Sequence, residues 1–369
     1  MILRVPSQAR PLLRRVAGKA GELGLPLFAV GGCVRDWLLG RPTLDVDLVV
    51  EGDPQPLAEW ASGAFGARAE SFGQFGTWRL LKAGWRLDFA RARREVYPRP
   101  AALPLVAPAP ISEDLLRRDF TINALALPLG PQNEGALLDP AAGLADLRGR
   151  VLRALHEGSF RDDPTRVYRA ARFVSRLHLK PAPGLWTMAR ESLRHGWPRL
   201  LSRARLLHEL WRILEGNDPG RPLKILARLG YLDVIYQGLK PPPAVLRSPR
   251  ERLGAMALRL GPRGKDFLAS LPIDKALALD LRETLDVASH RRSPRRDLPP
   301  PSLAILRAAF PRLPRTALRP LFVGGEDLRA LGIPPGKALG KALDEAARAQ
   351  WRGRVRSRVE AIRWLKNRL

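Results

Sequence analysis

Residues 25–50, LPLFAVGGCVRDWLLGRPTLDVDLVV, limit how this chain can fold more than any other stretch. Leu25 to Val30 is an apolar run of strand length, Gly31-Gly32 reads as a turn where backbone can approach a ligand, and Val34 to Leu39 reads as the first turns of a helix. In the following Leu44-Asp45-Val46-Asp47-Leu48-Val49-Val50, residues i and i+2 of a strand share a face, so Asp45 and Asp47 point together while the intervening apolar residues pack. A strand, a glycine turn and a helix N-terminus offer free N–H groups and a positive dipole end to phosphate, and Arg35 adds a charge-assisted contact. Two clustered carboxylates suit a pair of Mg²⁺ ions, which sit roughly 3.5–4 Å apart and stabilise the attacking and leaving oxygens of a phosphoryl or nucleotidyl displacement. Taken singly, a D-x-D is also a common solvated pair, and Arg35–Asp36 is also a surface ion pair. Neither a G-x-x-x-x-G-K-[ST] loop nor a G-x-G-x-x-G fingerprint is present.

Two more segments narrow the reading. GGCVRDWLLGR with DVD, then RRDFTINALAL at 117–127, then DDPTRVYRAARF at 162–173, occur in that order. Together they resemble the successive motifs of class II tRNA nucleotidyltransferases and bacterial poly(A) polymerases. The resemblance is dense over residues 25–235 and returns faintly in GGEDLRALGIPPGKALGKAL at 324–343.

The motifs have chemistry of their own. In RRDFTIN a carboxylate accepts from ribose hydroxyls and a guanidinium donates to them or to phosphate. The resemblance implies ribose and nucleotide contacts for Arg118, Asp119 and Asn123, with the 2′-OH marking a ribonucleotide; an exposed Asp–Arg network is the other reading. Phe120 to Leu127 continues as a strand or a short helix. Asp162-Asp163-Pro164 reads as a helix start, so Asp163 and Arg166, at i and i+3, share a face. A carboxylate only accepts and a guanidinium only donates, which suits the amino-beside-ring-nitrogen edges of cytosine and adenine and opposes the carbonyls of guanine and uracil. The resemblance implies base selection by Asp163 and Arg166, with Arg169 and Arg172 assigned to the same function; by spacing alone the pair is equally a helix-surface ion pair worth a few tenths of a kcal/mol.

Between these motifs, Trp85 to Ala90 reads as a strand that brings Asp88 toward the metals. Residues 91–112, RARREVYPRPAALPLVAPAPIS, are rich in proline and predict a loop without regular structure. The resemblance places there a flexible loop that helps switch between nucleotides, with Arg93, Arg94, Glu95 and Arg99 as its charged residues.

The formal net charge is +27, from 63 Lys+Arg against 36 Asp+Glu, which implies a polyanionic partner. The single cysteine, Cys33, excludes a disulfide within the chain, and the five histidines lack metal-ligand spacing. No apolar run is long enough to span a membrane and the basic N-terminal segment MILRVPSQARPLLRRVAGKAGELG has no cleavage-type ending, so a cytoplasmic location is expected, with no membrane and no protein partner evident.

Leu200 to Leu214 repeats apolar residues at three and four, and Ser202, Arg205 and Glu209 match the family's next motif. Proline clusters at 241–243 and 299–301 mark boundaries. Phosphate contacts to RNA are expected in HRRSPRR, from Arg291, Arg292, Arg295 and Arg296, and in the terminal RGRVRSRVEAIRWLKNRL. The expected architecture is α+β: a nucleotidyltransferase head with a mixed sheet at 1–140, then an all-α neck at 141–215, body at 216–300 and RNA-binding tail at 301–369. The expected activity is template-independent addition of CCA to the 3′ end of tRNA from CTP and ATP, with two Mg²⁺ held by Asp45 and Asp47 and the triphosphate at Gly31, Gly32 and Arg35. The same motifs serve CC-adding, A-adding and poly(A)-adding relatives, and a non-catalytic basic RNA-binding protein is the reading from another class.

Overall fold

The computed structural model describes residues 5–72, 76–82, 84–130 and 136–368, so the first four residues of the basic N-terminal segment and the last of the terminal helix lie outside the described residues. The chain divides into two compact units, Met1–Leu201 and Ser202–Leu369. The division falls inside the stretch expected to form the neck.

In the first unit, helix α1 (Ala9–Glu22) leads into β1 (Leu27–Val30), α2 (Gly32–Leu38) and β2 (Asp45–Val50). Helix α3 (Gln55–Phe65) then precedes the meander β3 (Arg68–Phe72), β4 (Thr77–Lys82) and β5 (Trp85–Arg91). With β6 (Arg93–Val96) and β7 (Leu105–Pro108) forming a separate hairpin, β8 (Ala126–Leu129) completes a six-stranded sheet in the order β3-β4-β5-β2-β1-β8. The sheet is mixed: β2 runs parallel to β5, and the other neighbours pair antiparallel. Val46, Leu48 and Val50 are buried from one face of β2, as the alternation predicts, which leaves Asp45 and Asp47 on the other. Strand β1 is buried throughout, so its four residues read as a continuous apolar run without alternation.

The hairpin is a departure from expectation, because residues 91–112 are not without regular structure. Pro98, Pro100 and Pro104 fall in the connection between its strands, and Pro108 is the terminal partner, opposite Arg93, so no interior ladder N–H is lost. The motif 117–127 takes both of the forms open to it: a 3₁₀ turn over Thr121–Asn123 and then β8.

Residues beyond 140 close on the same unit. Helices α4 (Ile111–Leu116), α5 (Gly143–Arg148), α6 (Ser159–Asp162) and α7 (Thr165–Arg176) follow the hairpin in sequence. Phe120 bridges Ala154, Thr121 N donates to Arg153 O at 3.0 Å, and a Cβ on Gly143 would stand 2.1 Å from Thr121 O. Only glycine permits so close an approach.

The second unit is helical among the described residues. Ser202 caps Arg203–Leu214 by accepting from Arg205 N at 3.3 Å, and Leu206, Leu210, Ile213 and Leu214 form its buried stripe. Pro299–Pro301 open the helix Pro300–Ala309 rather than a linker, since proline is tolerated in a first turn. Among the last helices, Gln350 on Lys337–Trp351 is fully buried, its Nε2 donating to the carbonyls of Thr316, Arg319 and Pro320 at 3.0, 3.1 and 3.1 Å while its Oε1 accepts from Phe322 N at 3.0 Å. This amide takes up backbone groups where the 3₁₀ turn Arg315–Leu318 runs out.

Gln350→Leu removes a buried amide and the partner of the Arg319 and Pro320 carbonyls and of Phe322 N, and should lower stability by about 1–3 kcal/mol in urea unfolding followed by tryptophan fluorescence. An unchanged midpoint would show that water satisfies those groups instead.

Candidate active site

The parallel pairing of β2 and β5 sets Asp45 opposite Arg86 and Asp47 opposite Asp88, so three carboxylates share one face of the sheet. They are not equivalent. Both oxygens of Asp88 accept from Arg79 on β4, at 2.7 Å each, so this third carboxylate is already neutralised by a bidentate partner. Asp45 is largely exposed, with Arg86 Nη2 at 3.6 Å. Burial raises the Asp47 carboxyl above its ordinary value; Arg118 works against this, and Asp88 and Asp45 add to it. Among the described residues no three His, Cys, Asp or Glu side chains gather in metal-ligating geometry. Asp45 and Asp47 nevertheless fit Mg²⁺, which is commonly held by one or two carboxylates and completed by water and substrate phosphate. A cation there would relieve the crowding of charge around Asp47.

Beside this face, Gly31 turns the chain from β1 into α2 with φ 68°, a left-handed conformation, and its N–H donates to Leu125 O at 2.9 Å. A Cβ at Gly31 would lie 2.7 Å from Arg118 Nη1, so the missing side chain is the space that Arg118 occupies. Arg118 Nη2 donates to Asp114 at 2.7 Å, and its Nε is buried without a hydrogen-bond partner. Arg35, expected beside a triphosphate, is turned inward instead. It is 3% exposed, donates to Asp36 at 2.8 Å and to Asn123 Oδ1 at 2.5 Å, and lies over the Phe173 ring at 5.2 Å. Its physical position is that of a strut between α2, the 3₁₀ turn and α7.

Asn123 passes the connection on, donating to Asp119 Oδ1 at 2.9 Å, while Asp119 Oδ2 accepts from Arg169 Nε and Nη2 at 2.8 and 2.6 Å. Burial would raise the Asp119 carboxyl, but Arg169 and Asn123 outweigh it and hold the group below its ordinary value. Asp163 accepts from Thr165 N at 2.9 Å and from Thr165 Oγ1 at 2.6 Å, and so caps α7 as its sequence predicts. Arg166 is 5% exposed and donates from Nη1 to Ser159 Oγ at 2.8 Å and from Nη2 to Arg117 O at 2.9 Å. Arg172 joins Arg35, Arg169 and Arg176 around Phe173, the guanidinium carbons standing 5.2 to 5.9 Å from the ring centre. Of these four guanidiniums, Arg35 is paired with Asp36 and Arg169 with Asp119, so their charge is partly offset.

Arg93, Arg117 and Arg118 are held by two acids, of which the sequence reading named Glu95 only as a loop residue and gave Asp114 no part. Asp114 is buried and binds Arg117 and Arg118, and the Glu95 side chain, 6% exposed, binds Arg93 and Arg117. The i,i+3 and i,i+4 spacing from Asp114 to the two arginines was the available signal. A cavity of about 420 Å³ opens beside them, lined in part by Glu95, Tyr97, Arg117, His156, Asp162 and Arg166. Burial and Glu95 together push the Tyr97 hydroxyl upward, so it donates to Glu95 at 2.8 Å as a neutral phenol.

In the second unit, the basic run is partly braced. Arg292 binds Asp344 at 2.6 Å, Arg295 stands 3.8 Å from the same carboxylate, and Arg296 Nε donates to Glu283 at 2.9 Å. Arg291 is exposed at the C-terminus of Lys275–His290. The terminal stretch is helical only over Arg358–Lys366, where the Trp364 ring is covered by Arg368 at 4.3 Å.

Comparison with known proteins points to one family. Residues 27–153 match the family described as the Poly A polymerase head domain. The chain is 35% identical to the CC-adding tRNA nucleotidyltransferase of Deinococcus radiodurans over 94% of this chain and 90% of that protein. It is 32% identical to the A-adding tRNA nucleotidyltransferase of Geobacter sulfurreducens over 97% of this chain but 47% of that protein. The chain spans between 26% and 49% of the length of the A-adding relatives it matches. A solved structure of a CCA-adding enzyme in complex with ATP superposes with a TM-score of 0.71 at 25% identity, covering 99% of this chain and 96% of that one.

Cys33, one turn from Gly31, is 2% exposed, and burial followed by the nearby Asp47 pushes its thiol up to about 12. It should therefore resist a disulfide reagent at pH 8 in the native protein and react fully once the protein is unfolded in guanidinium. Rapid reaction of the native thiol would contradict this packing.

Proposed function

The chain belongs to the tRNA nucleotidyltransferase family, and on that premise we propose that it extends the 3′ end of tRNA by CCA, transferring CMP and AMP from CTP and ATP. The observation that carries this reading is the placement of Asp45 and Asp47 on one face of the sheet, beside the Gly31 turn and the Arg118 guanidinium that fills it. A carboxylate pair next to a glycine-opened phosphate site is what nucleotidyl transfer requires.

In this reading Asp45 and Asp47 hold two Mg²⁺ ions, which supply the charge that activates the 3′-hydroxyl and stabilises departing pyrophosphate. The Gly31-Gly32 turn receives the triphosphate, Arg118 seated against that turn contacts the nucleotide at its ribose, and Arg35 supports the site from within through Asn123. Asp119, fixed by Arg169, faces the ribose; Asp163 and Arg166 choose the base, and Arg172 adds positive potential along α7. The roles of head, neck, body and tail follow the divisions 1–140, 141–215, 216–300 and 301–369, with Arg291, Arg292, Arg295 and Arg296 in contact with RNA backbone. A cytoplasmic location accompanies the reading; among the described residues no helix is long and apolar enough to cross a membrane. The nearly full-length similarity to a CC-adding enzyme favours a second reading, in which the chain stops after CC.

The deciding assay supplies Mg²⁺, CTP and ATP to tRNA transcripts ending before CCA, after C and after CC. Successive addition of C, C and A establishes the first reading, arrest after CC the second, and no incorporation with tRNA still bound a non-catalytic RNA-binding protein. Asp45→Ala or Asp47→Ala should lower transfer by roughly a thousandfold, with tRNA affinity in a gel-shift nearly unchanged. Asp163→Ala should cost about 1 kcal/mol of stability through its lost cap and, separately, admit UTP or GTP in competition assays. Unchanged base preference would return Asp163 to a capping role only.

A further inference from the structure

We propose that Asp114 is the positioning residue of this site, a fully buried carboxylate that sets the guanidinium of Arg118 at the Gly31 turn and, through Arg117, the base-facing Arg166. The inference rests on the nucleotidyl-transfer reading above. Asp114 is 0% exposed on α4, yet it meets four nitrogens: its Oδ1 accepts from Arg117 Nε and Nη2 at 3.0 and 2.6 Å and from Arg93 N at 3.2 Å, and its Oδ2 accepts from Arg118 Nη2 at 2.7 Å. A carboxylate is the one side chain that can serve two guanidiniums and a backbone N–H together.

The two arginines it holds point to different ends of the substrate site. Arg118 reaches the space left by the missing Gly31 side chain, within the electrostatic influence of Asp47. Arg117 presents its backbone carbonyl to Arg166 Nη2 at 2.9 Å, and Ser159 fixes the other Nη. Burial alone would raise the Asp114 carboxyl; Arg118 and Arg117 reverse this, so the group stays ionised and keeps both forks seated. Without its charge Arg118 loses its fixed carboxylate partner, and Asp47 becomes the nearby anion toward which it can turn. Asp114 itself touches no substrate in this scheme.

The test measures binding of CTP and dCTP to the full chain in Mg²⁺ by calorimetry, without tRNA, alongside thermal unfolding. Asp114→Asn should raise the Kd for CTP by at least about tenfold and draw the CTP/dCTP preference toward one, because a mispositioned Arg118 disturbs the ribose end. In an Arg118→Ala background the same change should cost clearly less, about two- to threefold, since only the path through Arg117 to Arg166 is left to lose. Asp114→Glu keeps the charge but moves it by one methylene and should show a smaller loss in the same direction; if the Asn variant does not fold, this one decides. Wild-type affinity and preference in the folded Asn variant, or an equal loss in the Arg118→Ala background, would overturn the proposal, as would wild-type behaviour of the Glu variant where it alone folds. A wild-type chain that binds CTP but transfers nothing to tRNA would refute the functional reading and leave the Asp114 comparison intact, whereas one that binds no nucleotide would overturn both.

Discussion

The paired contact of Arg169 with Asp119 is the joint on which the site depends. It fastens α7 to the turn entering β8, and β8 lies against β1, whose end is the Gly31 turn. Asp119 is buried while the Arg169 side chain is 36% exposed, so the carboxylate is the partner that loses most when the contact is broken. The sheet that carries Asp45 and Asp47 and the helix α7 far along the chain are therefore tied by electrostatics as well as by packing. Phe120 and Phe173 meet edge to face at 5.7 Å and tie the same two segments together by packing.

A second constraint is the scarcity of acid. Excess positive charge means that each buried carboxylate is divided among several arginines: Asp114 among two, Glu95 among two, Asp119 between Arg169 and the Asn123 amide. Planar guanidinium forks tolerate this sharing because each presents donors in fixed directions, whereas a lysine offers one compact charge. Asp88 is saturated by Arg79 in the same way. Of the three carboxylates on this face, Asp45 and Asp47 thus lack the bidentate guanidinium clamp that closes the third. Arginine supply thus divides the carboxylates of this face into one that is clamped and two that are not.

Much of this was legible in the sequence where local rules decide the outcome. The strand–glycine–helix unit, the alternation around Asp45 and Asp47, the Asp163 cap and the strand at 85–91 all follow from periodicity and turn chemistry, with limits shifted by one or two residues. Two features were not legible. Arg35 lies next to the phosphate-facing turn in sequence, but its direction is set by Asn123 and Phe173, 88 and 138 positions away, and no local pattern reports such partners. The hairpin at 93–108 was hidden because proline count was read without proline position; three prolines in a connection are compatible with two strands that need their N–H groups elsewhere.

The same distinction between number and position governs the basic charge. A net charge of +27 argues for a polyanionic partner, yet the run at 290–296 spends Arg292 on Asp344 and Arg296 on Glu283, both within the second unit. Exposed pairs of this kind contribute little to stability and exchange readily, so phosphate can compete for them at small cost. The set of guanidiniums around Phe173 differs, because Arg35 is buried there and Arg169 is committed to Asp119. Those pairings hold the guanidiniums in fixed places but offset part of their charge, whereas the 290–296 run offers adjustable contacts suited to a flexible polyanion.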